Sequence, residues 1–244
     1  MNRLTALTAP PLFLRPHLYG VRRQALGEIL SAHGLPSYRA AQLFTWVYRK
    51  HRRDPAEMTD LPQTLRRELD QICDVALPKV ASVQSTRDGN THKFVLALAD
   101  GARVECVSMR TPRRLTFCLS SQVGCALKCS FCATGLMGLE RNLTPQEIVA
   151  QVLHMGDFHG WSDDRFNLVF MGMGEPLANY RHVVDAIHIL HDPARLEPRR
   201  AADHGLDQRA RATDPRARRA RSAARARGVA PRHHRRASRS SWCR

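Results

Sequence analysis

Apolar residues recur at helical spacing among polar ones over residues 21–75, first as Leu26, Ile29 and Leu30 and then as Ala41, Leu43, Phe44, Val47 and Tyr48. This periodicity predicts a small helical N-terminal domain. Between His92 and Met109 the pattern changes to two runs of strand character, His92–Ala99 and Arg103–Met109, joined by the turn pair Asp100-Gly101, which predicts a hairpin. Leu115–Leu119 is a third strand candidate. In Thr144-Pro145-Gln146-Glu147, Thr144 can cap the first amides of a helix, Pro145 suits its first position, and Glu147 can reach back to close a capping box. A helix over 145–156 follows. Phe166–Met171 reads as a buried strand ending in the turn Gly172-Met173-Gly174-Glu175-Pro176, and Tyr180–Leu190 resumes helical periodicity.

Alternation of strand, loop and helix implies an α/β fold with parallel strands, as in (β/α) barrels whose functional loops lie at the strand C-terminal ends. The expected organisation is an N-terminal extension (1–20), a helical domain (21–80), a hairpin linker (81–112), the start of a barrel (113–192) and a tail (193–244). No apolar run is long enough to cross a membrane, and Pro10, Pro11, Arg15 and Pro16 interrupt the N-terminal apolar stretches, so a cytoplasmic location is expected.

Charge changes this picture only at the tail. The formal net charge is +16 over 244 residues, but from Pro193 onward 16 Arg stand against Glu197, Asp203, Asp207 and Asp214. That stretch contributes +12 and leaves +4 for the rest, so the body is only mildly basic. Its Arg39, Arg49, Lys50, Arg52 and Arg53 are candidates for phosphate contact, set against the plainer reading of a solvated charged face. The tail is Arg/Ala/Pro-rich and almost free of large apolar residues. It reads either as a disordered basic segment or, the reading favoured here, as out-of-frame translation of GC-rich DNA.

Seven cysteines include three within eight residues, Cys125, Cys129 and Cys132. The C-x3-C-x2-C spacing lets one loop hold three corners of a [4Fe–4S] cluster and leaves one iron open, where S-adenosylmethionine (SAM) can chelate. A zinc site is the competitor, but it ordinarily pairs its cysteines or adds a histidine pair. Phe131, inside the loop, is expected to shield the cluster from water.

Around this loop the sequence resembles a family, the RlmN/Cfr group of radical SAM RNA methyltransferases, and its RlmN side in particular. The likeness lies in Tyr38-Arg39-Ala40-Ala41-Gln42-Leu43-Phe44, Met58-Thr59-Asp60-Leu61-Pro62, Asp88-Gly89 and Lys93-Phe94, and continues through Phe117–Cys125, Arg141-Asn142-Leu143-Thr144 and Gly172–Leu177. It covers roughly residues 20–192. The resemblance implies methylation of C2 of an adenine in 23S ribosomal RNA and of adenine 37 in certain tRNAs, through a methylated cysteine, with a reductant such as flavodoxin or ferredoxin. By the same likeness Cys118 is the resolving cysteine, Glu105 the proton acceptor, and Gly174 and Glu175 the pair at the cofactor's methionyl end. A buried thiol, a strand-surface carboxylate and a plain turn are the respective alternatives. No residue of this chain matches the methyl-carrying cysteine, since Cys243 lacks its context. The chain as written is therefore expected to be an unstable, inactive truncation. Another radical SAM enzyme, including one methylating C8, and a basic cluster-bearing RNA-binding remnant remain as alternatives.

Overall fold

A computed structural model describes residues 15–161 and 166–192. The tail and Cys243 lie outside the described residues, as do residues 1–14 of the N-terminal extension and the four residues 162–165. The N-terminal region folds as three helices, α1 (Arg23–Ala32), α2 (Arg39–Phe44) and α3 (Gln63–Ile72), with a π-turn over Thr45–Arg49 continuing α2. Leu26, Leu30, Leu43, Phe44, Val47, Tyr48, Leu65 and Leu69 are buried at the spacing that closes one apolar stripe per helix.

The sheet has five strands in the order β1-β2-β3-β4-β7. These are β1 (Lys79–Ser85), β2 (Thr91–Ala97), β3 (Arg103–Thr111), β4 (Arg114–Cys118) and β7 (Phe166–Val169). The expected hairpin is β2–β3, and it does not stand apart as a linker: β3 pairs with β4 (Val107↔Cys118), so hairpin and first barrel strand share one sheet. β4 and β7 are parallel, Cys118 opposite Val169, with helix α5 (Pro145–Phe158) between them in sequence and α6 (Tyr180–Leu190) following. The α/β architecture expected from the alternation is present. Both halves of the capping box form, Thr144 to the third-residue amide and Glu147 back to the Thr144 amide.

Strand alternation gives the sheet two different faces. His92, Phe94, Leu96, Val104, Cys106, Ser108, Leu115 and Phe117 are buried on one, where Phe158 and His159 at the end of α5 pack against Phe94, Phe117 and Ser108. The other face carries Lys93, Val95, Glu105, Val107 and Cys118 away from the helices. A small antiparallel ribbon, β5 (Gln122–Gly124) with β6 (Leu139–Asn142), brackets the cysteine loop and the short helix α4 (Ala133–Met137).

The N-terminal helices are tied to the barrel helices by arginine–aspartate pairs: Arg22 with Asp185 (2.6 Å), Arg23 with Asp192 (3.0 Å) and Arg53 with Asp157. Four of the five basic residues singled out for phosphate contact have partners inside the protein. Arg53 serves this seam, Arg39 bonds Gln42, Arg52 pairs with Glu57, and Lys50 lies over the Trp46 ring. Among the described residues no helix is long and apolar enough to cross a membrane.

Burial also sets an acid limit. His154 reaches the Pro78 carbonyl through Nε2 (2.7 Å), and desolvation holds its pKa below the ordinary 6.5; burial lowers that of His17 as well. The folded state therefore binds these protons less readily than the unfolded chain, so stability is complete above pH 6.5 and is lost as pH falls through the lowered values. Thermal unfolding followed at pH 7.5 and 5.5 is expected to show a lower midpoint at the acid pH. His154→Gln, which keeps a donor for Pro78 but cannot titrate, should reduce the difference.

Candidate functional site

The segments that follow the C-terminal ends of the parallel pair, 119–122 leading to the cysteine loop and the glycine loop after β7, are joined along their backbones. The Leu119 amide donates to the Val169 carbonyl (2.8 Å) and the Gly172 amide returns to that of Leu119 (3.0 Å). Further on, the Ser121 and Gln122 amides both donate to the Met173 carbonyl, at 2.8 and 3.2 Å. Gly172 and Gly174 are required by this closeness. A Cβ on Gly172 would lie 2.5 Å from Ser120 Oγ, and one on Gly174, whose φ is +94°, would lie 2.5 Å from Gln122 Cβ.

Polar residues that sequence reasoning left without a role hold this junction. Ser120 is wholly buried; its amide donates to Gln151 Oε1 (2.8 Å), its carbonyl accepts from Gln151 Nε2 (3.0 Å), and its hydroxyl donates to the Glu105 carbonyl while accepting from the Met173 amide (2.7 Å). Asn179 donates to the Ser121 and Leu143 carbonyls at 2.8 and 2.7 Å. Ser120, Ser121, Gln122 and Met173 are buried, so their backbone groups must find protein partners. The only sequence signal was the run Ser120-Ser121-Gln122, three polar residues directly after a strand.

Glu105 and Cys118 come out on the same sheet face, since Cys118 is opposite Val107 and Glu105 is one alternation away. Glu105 pairs with Lys93 Nζ (2.9 Å), and its amide points at the Met173 sulfur (3.3 Å). Cys118 is only 8% exposed. Burial pushes its thiol above the ordinary range, against the opposing pull of the Met171 amide aimed at the sulfur. Cys106, not foreseen as special, is buried on the helix face, and its thiol is also pushed up by burial. A raised pKa lowers the thiolate fraction, so Cys118 should alkylate much more slowly with iodoacetamide at pH 7.5 than the partly exposed Cys129 and Cys132. Peptide mass spectrometry against time checks this, and equal rates would contradict it.

Cys125, Cys129 and Cys132 are free thiols on the loop between β5 and α4. Cys125 donates its amide to the Gly138 carbonyl (2.8 Å) at the end of the ribbon. Cys132 precedes the first residue of α4, and its amide donates to the Cys129 carbonyl (3.0 Å). The chain turns between them through Lys128, at φ +48°. Among the described residues no three His, Cys, Asp or Glu side chains converge as ligands of a single ion. A cubane cluster does not ask for that convergence, because each thiolate takes a different iron; three thiols on one loop with no acidic or histidine partner suit it in donor chemistry. Phe131 is 91% exposed and projects into solvent, so the expectation that it shields the loop is corrected. Leu127, Leu136, Met137 and Met171 are likewise exposed around the loop.

Gly174 lies within the glycine loop, and the Glu175 amide donates to Gln122 Oε1 (2.9 Å) while the Glu175 carboxylate accepts from the Leu177 amide (3.1 Å). Glu105, Cys118 and the Gly174–Glu175 turn are thus tied to the 118–122 segment that leads into the cysteine loop.

Comparison with known proteins follows the same division. Residues 17–75 match the family described as ribosomal RNA large subunit methyltransferase N-terminal domain, and residues 119–226 match the radical SAM superfamily, a match that runs past Asp192. A dual-specificity RNA methyltransferase RlmN from Solidesulfovibrio magneticus is 45% identical over 176 residues, covering 70% of this chain and 50% of the relative. A probable one from Dictyoglomus thermophilum is 47% identical over 164 residues, 67% of this chain and 47% of the relative. The crystal structure of a radical SAM methyltransferase from Sphaerobacter thermophilus superposes with a TM-score of 0.70 at 42% identity, covering 74% of this chain and 53% of that one. The chain spans about half the length of these relatives.

Proposed function

This chain belongs to the RlmN family of radical SAM proteins, and on that footing we propose that it serves a methyltransferase acting on C2 of an adenine in 23S ribosomal RNA and on adenine 37 of certain tRNAs. One observation carries the reading. The 119–122 segment that leads into the loop bearing three free thiols is joined backbone to backbone with the glycine loop after β7, beside the sheet face that presents Glu105 and Cys118.

Cys125, Cys129 and Cys132 would hold a [4Fe–4S] cluster, and Gly174 and Glu175 would receive the methionyl end of SAM. When bound, these groups supply a one-electron cleavage of SAM that makes the hydrogen abstraction needed for an unreactive methyl donor. The chain's own residues supply part of the rest, and none of them matches the methyl-carrying cysteine. Gly174 presents backbone with no side chain in the way, and Glu175 offers an anionic oxygen to the cofactor's amino group. Glu105, partly exposed and beside Lys93, would take a proton from the adenine ring. Cys118 stays a thiol at neutral pH because it is buried. It is thereby kept in reserve, as a nucleophile that must release an enzyme-bound product and must not react earlier. Electrons would come from a flavodoxin or ferredoxin.

The test uses the anaerobically reconstituted chain with SAM, a reductant and a 23S ribosomal RNA fragment or tRNA. Because no residue of this chain matches the methyl-carrying cysteine, the chain alone should cleave SAM to 5′-deoxyadenosine without methylating the RNA. The same assay on the chain joined to the C-terminal half of a full-length relative should give 2-methyladenosine in nucleoside digests, absent with Cys118→Ala. A joined protein that cleaves SAM but methylates no adenine in any RNA offered would contradict the RNA substrate.

A further inference from the structure

Gln122 is 1% exposed and both ends of its amide are used. Nε2 donates to Asn142 Oδ1 (2.7 Å), the cross-strand partner in the β5–β6 ribbon, and Oε1 accepts from the Glu175 amide (2.9 Å). The Glu175 contact decides the direction of the amide, because a backbone N–H only donates; Oε1 must face it, and Nε2 is left to donate to Asn142. The stem matters as well. Gly174 sits so close to it that any Cβ would fall within 2.7 Å of Gln122 Cβ, Cγ and N. The ribbon that carries Asn142 ends at Gly124 and Gly138, where Cys125 is fastened and the cysteine loop begins. A single buried side chain therefore touches the frame of one loop and the backbone of the other.

We infer that Gln122 is a positioning residue, which transmits the geometry of the cysteine-loop ribbon to Glu175 through the amide chain Asn142–Gln122–Glu175. This rests on the reading that Glu175 receives the cofactor. Gln122 does not itself touch the cofactor. It fixes the amide from which the Glu175 side chain is aimed, and with it the distance between the loop holding the thiols and the loop holding the methionyl end. A glutamine is suited to this because it must donate on one side and accept on the other. A carboxylate in its place keeps the acceptor for Glu175 and lets Asn142 turn its own NH2 toward it, whereas an apolar chain of similar length supplies neither bond.

The experiment compares the full chain with Gln122→Met, Gln122→Glu and Asn142→Ala by two readouts. Amide hydrogen exchange needs no cofactor. In Gln122→Met the Glu175 amide should exchange at least about tenfold faster, as loss of one buried acceptor implies, while Ile148 in α5 and Val183 in α6 keep their rates. Asn142→Ala, at an exposed ribbon position, removes only the anchor and should raise the Glu175 rate alone by about threefold or more. Gln122→Glu should stay near the native rate. Equilibrium binding of SAM to the reconstituted protein is the second readout. It should weaken about tenfold in Gln122→Met at unchanged iron and sulfide content, and recover in Gln122→Glu.

An unchanged Glu175 rate in Gln122→Met and Asn142→Ala overturns the inference, as does acceleration spread equally over α5 and α6, which marks a merely structural side chain. Unchanged SAM binding beside a selectively accelerated Glu175 amide overturns the coupling to the cofactor. If the native chain loads iron and sulfide yet binds no SAM, the reading of Glu175 as a cofactor residue fails by itself, and the exchange rates still decide whether Gln122 positions the loop.

Discussion

Gly124→Ala is expected to abolish cluster assembly while leaving the N-terminal helices folded. Gly124 lies at φ +76°, where a side chain costs about 1–2 kcal/mol, but conformation is the smaller part of the effect. An added Cβ would stand 1.8 Å from the Gly138 carbonyl oxygen and 2.9 Å from its carbon, both backbone atoms that no rotamer change can remove. That carbonyl also accepts the Cys125 amide, so the strand shift that relieves the overlap moves the first thiol of the three. The β5–β6 ribbon already carries a register irregularity at this point and, among the described residues, has no further strand to steady it. Iron content after anaerobic reconstitution should fall from about four per chain to well below one, with helical circular dichroism little changed. Full loading of the variant would show that the ribbon does not set the loop.

Gly174→Ala is expected to separate the two halves of the site in the opposite sense, with the cluster retained and SAM binding lost. The residue lies at φ +94°, and its Cβ would meet Gln122 N at 2.7 Å, an atom held in place by its bond to the Met173 carbonyl. The glycine loop must retreat from the 119–122 segment and take Glu175 with it. The ribbon's pairing at Val123 and Gly124 and the bond from the Cys125 amide to the Gly138 carbonyl do not involve the glycine loop and should stay. Titration of SAM into the reconstituted variant is expected to show affinity reduced by more than about tenfold, consistent with the loss of a buried hydrogen bond and the added strain. Parallel loss of iron would contradict the separation.

These two glycines mark the boundary of what was legible in the sequence. The β2–β3 hairpin, β4, α5 and α6 follow from local signals: a Gly101 turn, alternation, a capping box at Thr144 and Glu147, and Ile/Val periodicity. The spacing of Cys125, Cys129 and Cys132 likewise points to its chemistry without any fold. β1 went unseen because all seven of its residues are exposed, so an edge strand covered on neither face leaves no alternation to read. The ribbon went unseen because three or four residues such as Gln122–Gly124 carry no period of their own and are paired only across the cysteine loop.

The polar junction was illegible for a different reason. Ser120, Gln122 and Asn179 are buried polar residues whose partners lie 20 to 58 positions away, apart from the Glu105 carbonyl 15 residues back, and a local pattern assigns such residues to the surface. Arg22, Arg23 and Arg53 belong to the same class, since a charged residue that closes a seam between domains looks in sequence like one that faces solvent. Phe131 shows the converse, an aromatic residue in a loop that is open to water.

The central claim is that Cys125, Cys129 and Cys132 hold a cluster whose open iron meets SAM beside Gly174 and Glu175. Electron paramagnetic resonance of the dithionite-reduced, reconstituted chain, recorded before and after addition of SAM, tests it most directly. The expected result is a [4Fe–4S]+ signal that changes its g-values when SAM is added, does so in Cys118→Ala as well, and is missing in Cys125→Ala. A cluster signal indifferent to SAM, or iron binding that survives loss of Cys125, would contradict it.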